Sequence, residues 1–234
     1  MREAMVVAVL AATMLPSVLG SEARAQAQEQ IGFPAVAEAL SPRVKVLARP
    51  APNARRIAVM EAFRFDYRPT VFFVTGRSVR AKHGAWLRID VPGRPNGRRG
   101  WVRAAHLRVL HEAGPFRIVI DRSRRILKLR RGKRSVIKAP VAVGTSDAPT
   151  PIGDFYIAAE FSPSDPFLGP RAFETSAYAA ITDWPRGGIV GLHGTSDPAS
   201  IGHRASHGCI RTYNRVILKL SRRVGPGTPI KIVR

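Results

Sequence analysis

The sequence predicts a mainly β protein, built as two successive β units with one or two short helices. From Ser41 onward, apolar residues fall in short runs that alternate with polar ones, the period-two signature of half-buried strands. Gly, Pro and Asn separate these runs at close intervals, as turns between strands require. A break at His111-Glu112-Ala113-Gly114-Pro115 divides the pattern into two parts.

Taken in order, the chain opens with Arg2 and a nearly unbroken apolar run, Ala4 to Leu15 (AMVVAVLAATML). Pro16 and Gly20 end that run, and Ala23-Arg24-Ala25 offers small residues where a signal peptidase reads, so residues 1–25 are expected to be a secretory signal peptide. The run is shorter than the roughly 20 residues of a membrane span. A retained anchor is the competing reading, and no later segment is apolar enough to span. Residues 26–40 (QAQEQIGFPAVAEAL) read as a linker.

Residues 41–113 carry β-like runs at Val44–Leu47, Val71–Val74, Ala85–Val91 and Gly100–Val102, with a Pro- and Asn-Gly-containing turn over 92–97. About five short strands in this length suggest a small barrel. Trp86 and Trp101 are expected to pack in its core rather than meet a ligand.

In residues 114–234, Phe116–Ile120 and Arg125–Arg130 flank a polar turn and read as a β-hairpin. Val136–Val143 is a further strand, whose Pro140 argues for an edge or a bulge. Gly144 to Asp154 is a loop by composition, Phe155-Tyr156-Ile157 resumes a strand, and Gly188-Ile189-Val190 is another. Leu168 to Thr175 is expected to form a loop over the functional site. Val216, Ile217, Leu220 and Val224 recur at helical spacing, giving a helix over Asn214–Arg223 with Thr212 or Asn214 as its cap. Pro229–Val233 is the last strand.

The net charge is +22, shared evenly between the two β units, and the 45% apolar content supplies a real core and excludes global disorder. Behind an export signal, such a charge points to anionic cell-wall polymers as partners rather than nucleic acid. Coding bias toward arginine, which makes up 31 of the 38 basic residues, is the bland alternative.

Cys209 is the one cysteine, so no intramolecular disulfide can form. It pairs with another chain, sits buried and inert, or works as a free thiol. A thiol attacks carbonyls as thiolate, and a histidine or positive charge nearby favours that form. The stretch SHGCIR supplies His207 two residues before Cys209 and Arg211 two residues after, and His193 stands sixteen residues upstream at the end of a predicted strand. Gly208 permits close backbone approach and leaves amides to face a developing oxyanion.

Two resemblances follow. W-L-R-I-D-V … G-W-V-R-A-A-H-L within 41–113 resembles a bacterial SH3-like domain, which implies binding of wall peptide or glycan. GLHGT … SHGCIR … N, together with T-P-I-G-D-F (Thr150 to Phe155) and the closing G-T-P-I (Gly227 to Ile230), resembles the L,D-transpeptidase catalytic domain of the YkuD-like family over about residues 115–234. That resemblance implies a β-sandwich or barrel in which Cys209 is the nucleophile and His193 its base. It also implies that His207 supports the thiol, that amides around Gly208 and Cys209 form the oxyanion hole, and that Ser206, Gly194 and Arg211 line the site. Arg211 stays open between substrate contact and structural pairing.

The implied substrates are peptidoglycan stem peptides, joined as 3→3 crosslinks or to a protein amine in the periplasm or cell wall, with no metal or cofactor. Three other readings compete. His193, His203, His207 and Cys209 could hold zinc, although their spacing is poor for a structural site. A wall cysteine peptidase is the second, and a non-catalytic wall-binding protein the third. Asp183 and Trp184 exceed nothing that an ordinary turn would contain.

Overall fold

The computed structural model describes residues 32–80, 84–180 and 185–234. The expected signal peptide, the first part of the linker, Asp183 and Trp184 lie outside the described residues. The architecture is mainly β, as the alternating runs predict.

The first sheet holds β1 (Ala35–Ala39), β2 (Arg43–Leu47), β3 (Arg56–Glu61), β4 (Phe72–Arg80), β5 (Gly84–Asp90), β6 (Arg99–Arg103) and β7 (Leu107–Glu112). Its order is β3-β2-β6-β5-β4-β1-β7, with every pairing antiparallel. Leu87 and Ile89 of β5 join Val44, Val46, Phe72, Val74 and Val102 among the buried apolar residues. Trp86 is likewise buried, with the Arg103 guanidinium 4.9 Å from its ring.

The linker expectation is corrected here. Ala35–Ala39 is a strand inserted between β4 and β7, with Ala35, Val36 and Ala37 buried. Small apolar residues in succession give no alternation to read, and the two neighbouring strands supply the order that the sequence pattern lacks.

The second sheet holds β8 (Phe116–Asp121), β9 (Ile126–Arg131), β10 (Arg134–Pro140), β12 (Gly153–Phe161), β13 (Ala172–Tyr178), β14 (Ile189–His193), β16 (Ile210–Arg211) and β17 (Pro229–Val233). Its order is β10-β9-β8-β17-β12-β13-β14-β16. Pro140 sits on the edge strand β10, where a missing N–H costs no ladder bond. A small parallel pair, β11 (Val143–Gly144) with β15 (Arg204–Ser206), stands apart. The helix α1 (Asn214–Ser221) lays Val216, Ile217 and Leu220 onto a core that also contains Ile118, Leu129, Phe173, Val190, Leu192 and Ile210.

A second correction concerns the loop expected over Leu168–Thr175. Ala172–Tyr178 is the interior strand β13, nearly all of it buried. A strand covered on both faces shows no alternation, so its polar Glu174, Thr175 and Ser176 read as loop. The loop itself is residues 162–171, with a 3-10 turn at Pro166–Leu168.

The two sheets meet through specific contacts. Phe73 stacks on Tyr156 with ring centroids 5.0 Å apart, and the Tyr156 hydroxyl donates to Val71 O at 3.2 Å. Arg64 pairs with Glu174, both side chains largely buried. Removing one partner of a buried pair strands the other charge at a cost of about 3–5 kcal/mol, whereas replacing both with apolar groups is close to neutral. Arg64 also lies 3.4 Å from Asp66, so Glu174→Ala leaves it one partner and is expected to lower unfolding stability in urea by less, about 1–3 kcal/mol. The double variant Arg64→Met with Glu174→Leu should recover most of the loss.

Candidate active site

Strand register assembles the site. In β14 Leu192 points into the core, so Gly191 and His193 project from the opposite face. β16 runs parallel beside it, with Leu192 opposite Ile210 and His193 opposite Arg211. Ile210 is also in the core, which turns Cys209 and Arg211 to the same face as Gly191 and His193. A histidine and a cysteine sixteen residues apart are thus brought side by side by two short strands.

Gly191 is the floor between them. Its amide donates to Cys209 Sγ at 3.4 Å. A Cβ on Gly191 would lie 3.5 Å from His193 Cδ2 and 3.7 Å from Cys209 Sγ, so both side chains flank one point above this glycine. Cδ2 is the ring carbon next to Nε2. The other ring nitrogen, Nδ1, lies 2.6 Å from Gly194 O. A carbonyl can only accept, so the proton resides on Nδ1 and Nε2 is left as a proton acceptor.

Electrostatics correct one expectation. Burial dominates both groups. It lowers His193 to about 4, assisted by the Arg211 charge and opposed by the bond to Gly194. Cys209 is half-buried, and desolvation pushes its thiol upward. The Gly191 amide and Arg211 pull in the other direction without prevailing. The resting pair is therefore a neutral thiol beside a neutral imidazole, not the thiolate that the nearby charges suggested.

The turn that presents Cys209 is tied internally. Ser206 Oγ donates to Cys209 O at 2.5 Å and accepts from Gly208 N at 3.2 Å. Thr150 Oγ1, fully buried, donates to Gly208 O and accepts from Gly144 N, both at 2.9 Å. Gly208 has φ 115°, a left-handed conformation suited to glycine, and a Cβ there would come within 2.8 Å of Ala179 Cβ. Because the Gly208 amide is directed to Ser206, its expected place in the oxyanion hole is not supported. Ser206 is a brace of the turn rather than a lining group. His207 is exposed, and Gly191, Ser206 and Thr150 hold the thiol and its turn.

Arg211 is buried, and its guanidinium lies 4.7 Å from the Phe167 ring, whose centroid is 6.4 Å from the ring of His193. Arg211 thereby pins the 162–171 loop beside His193. Its Nε is buried and without a hydrogen-bond partner among the described residues.

Gly194 is also structural. A Cβ there would meet Asn214 Oδ1 at 2.3 Å and Gly169 Cα at 3.2 Å, so this is where the loop closes on the segment after His193. Asn214 Oδ1 accepts from Thr195 N at 2.8 Å. It serves the site in this way, and the helix starts after Tyr213 without a side-chain cap. Sequence reasoning missed Gly191, Thr150, Phe167 and Asn214. Gly191, Thr150 and Asn214 stand inside the motifs that carry the family resemblance, whereas nothing local marks Phe167. Among the described residues no group of three or more His, Cys, Asp or Glu could hold a metal ion, and His203 is exposed.

The low pKa of His193 has a thermodynamic consequence. An unfolded chain binds this proton near its ordinary value of 6.5 and the folded one only near about 4. Stability from this residue is therefore complete above about pH 6.5 and falls by roughly 3 kcal/mol as pH drops toward 4. His193→Gln is expected to flatten that part of the urea stability-versus-pH curve, measured between about pH 7.5 and 4.5.

Comparison with known proteins identifies the family. Residues 115–232 match the family model described as YkuD, the L,D-transpeptidase catalytic domain. The putative L,D-transpeptidase YkuD of Bacillus licheniformis is 37% identical over 119 residues, which cover 50% of this chain and 66% of that relative's length. Its counterpart in Bacillus subtilis is 35% identical over 121 residues, 51% of this chain and 67% of the relative. Among solved structures, an L,D-transpeptidase from Mycobacterium smegmatis aligns with TM-score 0.46 at 16% identity, over 70% of this chain and 99% of that one. Cys209, His193 and each residue that braces them fall within the matched span, and the chain belongs to the YkuD family of L,D-transpeptidase catalytic domains.

Proposed function

We propose that this protein is an exported L,D-transpeptidase that remodels peptidoglycan through an acyl-enzyme on Cys209. The observation that carries the reading is the meeting of Cys209 Sγ and the His193 ring, through its Cδ2, over Gly191, with the imidazole proton held on Nδ1 by Gly194 O. Family membership supports the substrate class, the stem peptides of the wall. The +22 charge suits residence among anionic wall polymers, and the apolar N-terminal run suits export. Among the described residues no helix is long and apolar enough to cross a membrane.

The chemistry follows from a neutral resting pair. As Sγ attacks the carbonyl after the third residue of a tetrapeptide stem, Nε2 takes the thiol proton, so the thiolate forms only as it is consumed. Charge on the carbonyl oxygen is met by the Cys209 amide, the Gly208 amide being engaged by Ser206. The imidazolium then protonates the leaving D-alanine nitrogen, the C–N bond breaks, and a thioester remains. An amine on a neighbouring stem attacks this thioester and passes its proton through His193 back to sulfur, giving a 3→3 crosslink and free thiol. A protein amine in the same position would be tethered to the wall.

Incubation with a defined tetrapeptide stem or a carbapenem should add one acyl mass to Cys209, visible by mass spectrometry of the intact protein, and Cys209→Ala should remove both adduct and crosslinked product. Full crosslinking by Cys209→Ala would refute the reading. Gly191→Ala tests the geometry separately. The added methyl meets its neighbours at ordinary contact distances of 3.5 Å or more, so folding should be preserved. Standing between base and sulfur, it should lower acylation by about tenfold or more, read as the rate of adduct formation.

A further inference from the structure

The turn between β5 and β6 reaches out of the first sheet and takes hold of a hairpin in the second. Asn96 Nδ2 donates to Tyr178 O at 2.7 Å while Asn96 Oδ1 accepts from Tyr178 N at 2.9 Å, so one side-chain amide pairs with the end of β13 as a neighbouring strand would. Arg94 donates to Ala179 O from Nε at 3.0 Å and also from Nη2, and to Gly187 O from Nη1 at 2.8 Å. Its guanidinium also lies 5.4 Å from the Tyr178 ring. Two side chains thus hold the end of β13 and the segment leading into β14 of this β13–β14 hairpin, which are joined by Ala179 N donating to Gly188 O at 2.8 Å.

The hairpin needs outside support because its ladder is interrupted. The register of β13 against β14 shifts between Glu174 and Tyr178, and Thr175 Oγ1 fills the gap by donating to Val190 O at 2.7 Å and accepting from Ala177 N at 3.1 Å. On its other side the hairpin backs the nucleophile. Ala179 Cβ occupies the space directly against Gly208, 2.8 Å from where a Gly208 Cβ would stand, and Gly208 immediately precedes Cys209. The contacts run without a break from Asn96 and Arg94 through Tyr178 and Ala179 to Gly208.

We propose that Asn96 and Arg94 are positioning residues for the thiol: the N-terminal sheet is a working part of the catalytic centre, setting the Ser206–Cys209 turn through the hairpin that it grips. Their hydrogen bonds go to Tyr178, Ala179 and Gly187, so both act on the turn through Ala179. The acyl-transfer readout below rests on the proposed reaction, while the alkylation readout does not.

The test uses the full chain, in which Cys209 is the only thiol. Asn96→Ala, Arg94→Ala, Arg94→Lys and Ala179→Gly are compared for kcat and KM of stem-peptide transfer, for the pH midpoint of Cys209 alkylation by iodoacetamide, and for thermal unfolding. Asn96→Ala and Arg94→Ala should lower kcat by about tenfold with KM within about twofold, below the roughly hundredfold that a 1 Å misplacement can cost. Their alkylation midpoint should move down toward that of an ordinary thiol as water enters the loosened turn. Arg94→Lys, which keeps one donor in reach, should recover part of both effects.

Ala179→Gly leaves Arg94 and Asn96 in place but removes the buttress, and it should move both readouts in the same direction. It decides the matter alone if the other variants do not fold. Wild-type kcat and midpoint in Ala179→Gly, or in both Asn96→Ala and Arg94→Ala, would overturn the proposal. A midpoint shift in a protein with no transfer activity would uphold it and refute the proposed reaction instead.

Discussion

The two-residue parallel pairing of β16 with β14 is the constraint on which the rest depends. It sets His193 opposite Arg211 and places Cys209 one step further, beside Gly191, on the face that the core does not use. A slip of one residue would send Cys209 into the apolar interior and bring Ile210 to the surface, since side chains alternate with period two. The neighbouring features defend that register. Leu192 and Ile210 anchor the inner face, Ala142 and Arg211 exchange backbone hydrogen bonds at 2.9 and 3.0 Å, and Thr212 N donates to His193 O at 2.9 Å. Such short strands have few ladder bonds of their own, so these added ties are what make the register firm.

Desolvation then decides how the pair behaves. In water a histidine and a guanidinium near a thiol would favour the ion pair. Here burial raises the cost of both charges, and the neutral forms prevail at rest. The imidazole therefore has a fixed tautomer with a lone pair on Nε2 that is available throughout the neutral range, as the proposed reaction requires of its base. Arg211, its guanidinium 4.7 Å from the Phe167 ring, holds the 162–171 loop beside His193.

Much of this architecture is legible in the amino-acid sequence alone. Cys209 and His193 carry rare chemistry at family-specific spacing, and most strands show in the alternation of β5, β8 and β9. What the sequence conceals, it conceals for definable reasons. β1 is made of small residues without alternation, and β13 is buried on both faces, so neither has a period to detect. Thr150 and Asn214 act on backbone groups of residues distant in the chain, Gly208 and Thr195, and such pairings exist only once the sheet has formed. The direction of the thiol shift is hidden similarly, because a chain shows its nearby charges but not the volume of water that folding removes.

The desolvation of that thiol has a chemical consequence beyond turnover. Oxidants such as peroxides react with exposed thiolates and climb from sulfenic to irreversible sulfinic and sulfonic acids. A sulfur held protonated by its surroundings offers them less purchase than a thiolate would. For a lone cysteine proposed to serve beyond the reducing cytoplasm, with no second thiol in the chain to rescue it as a disulfide, this reserve is a form of chemical durability.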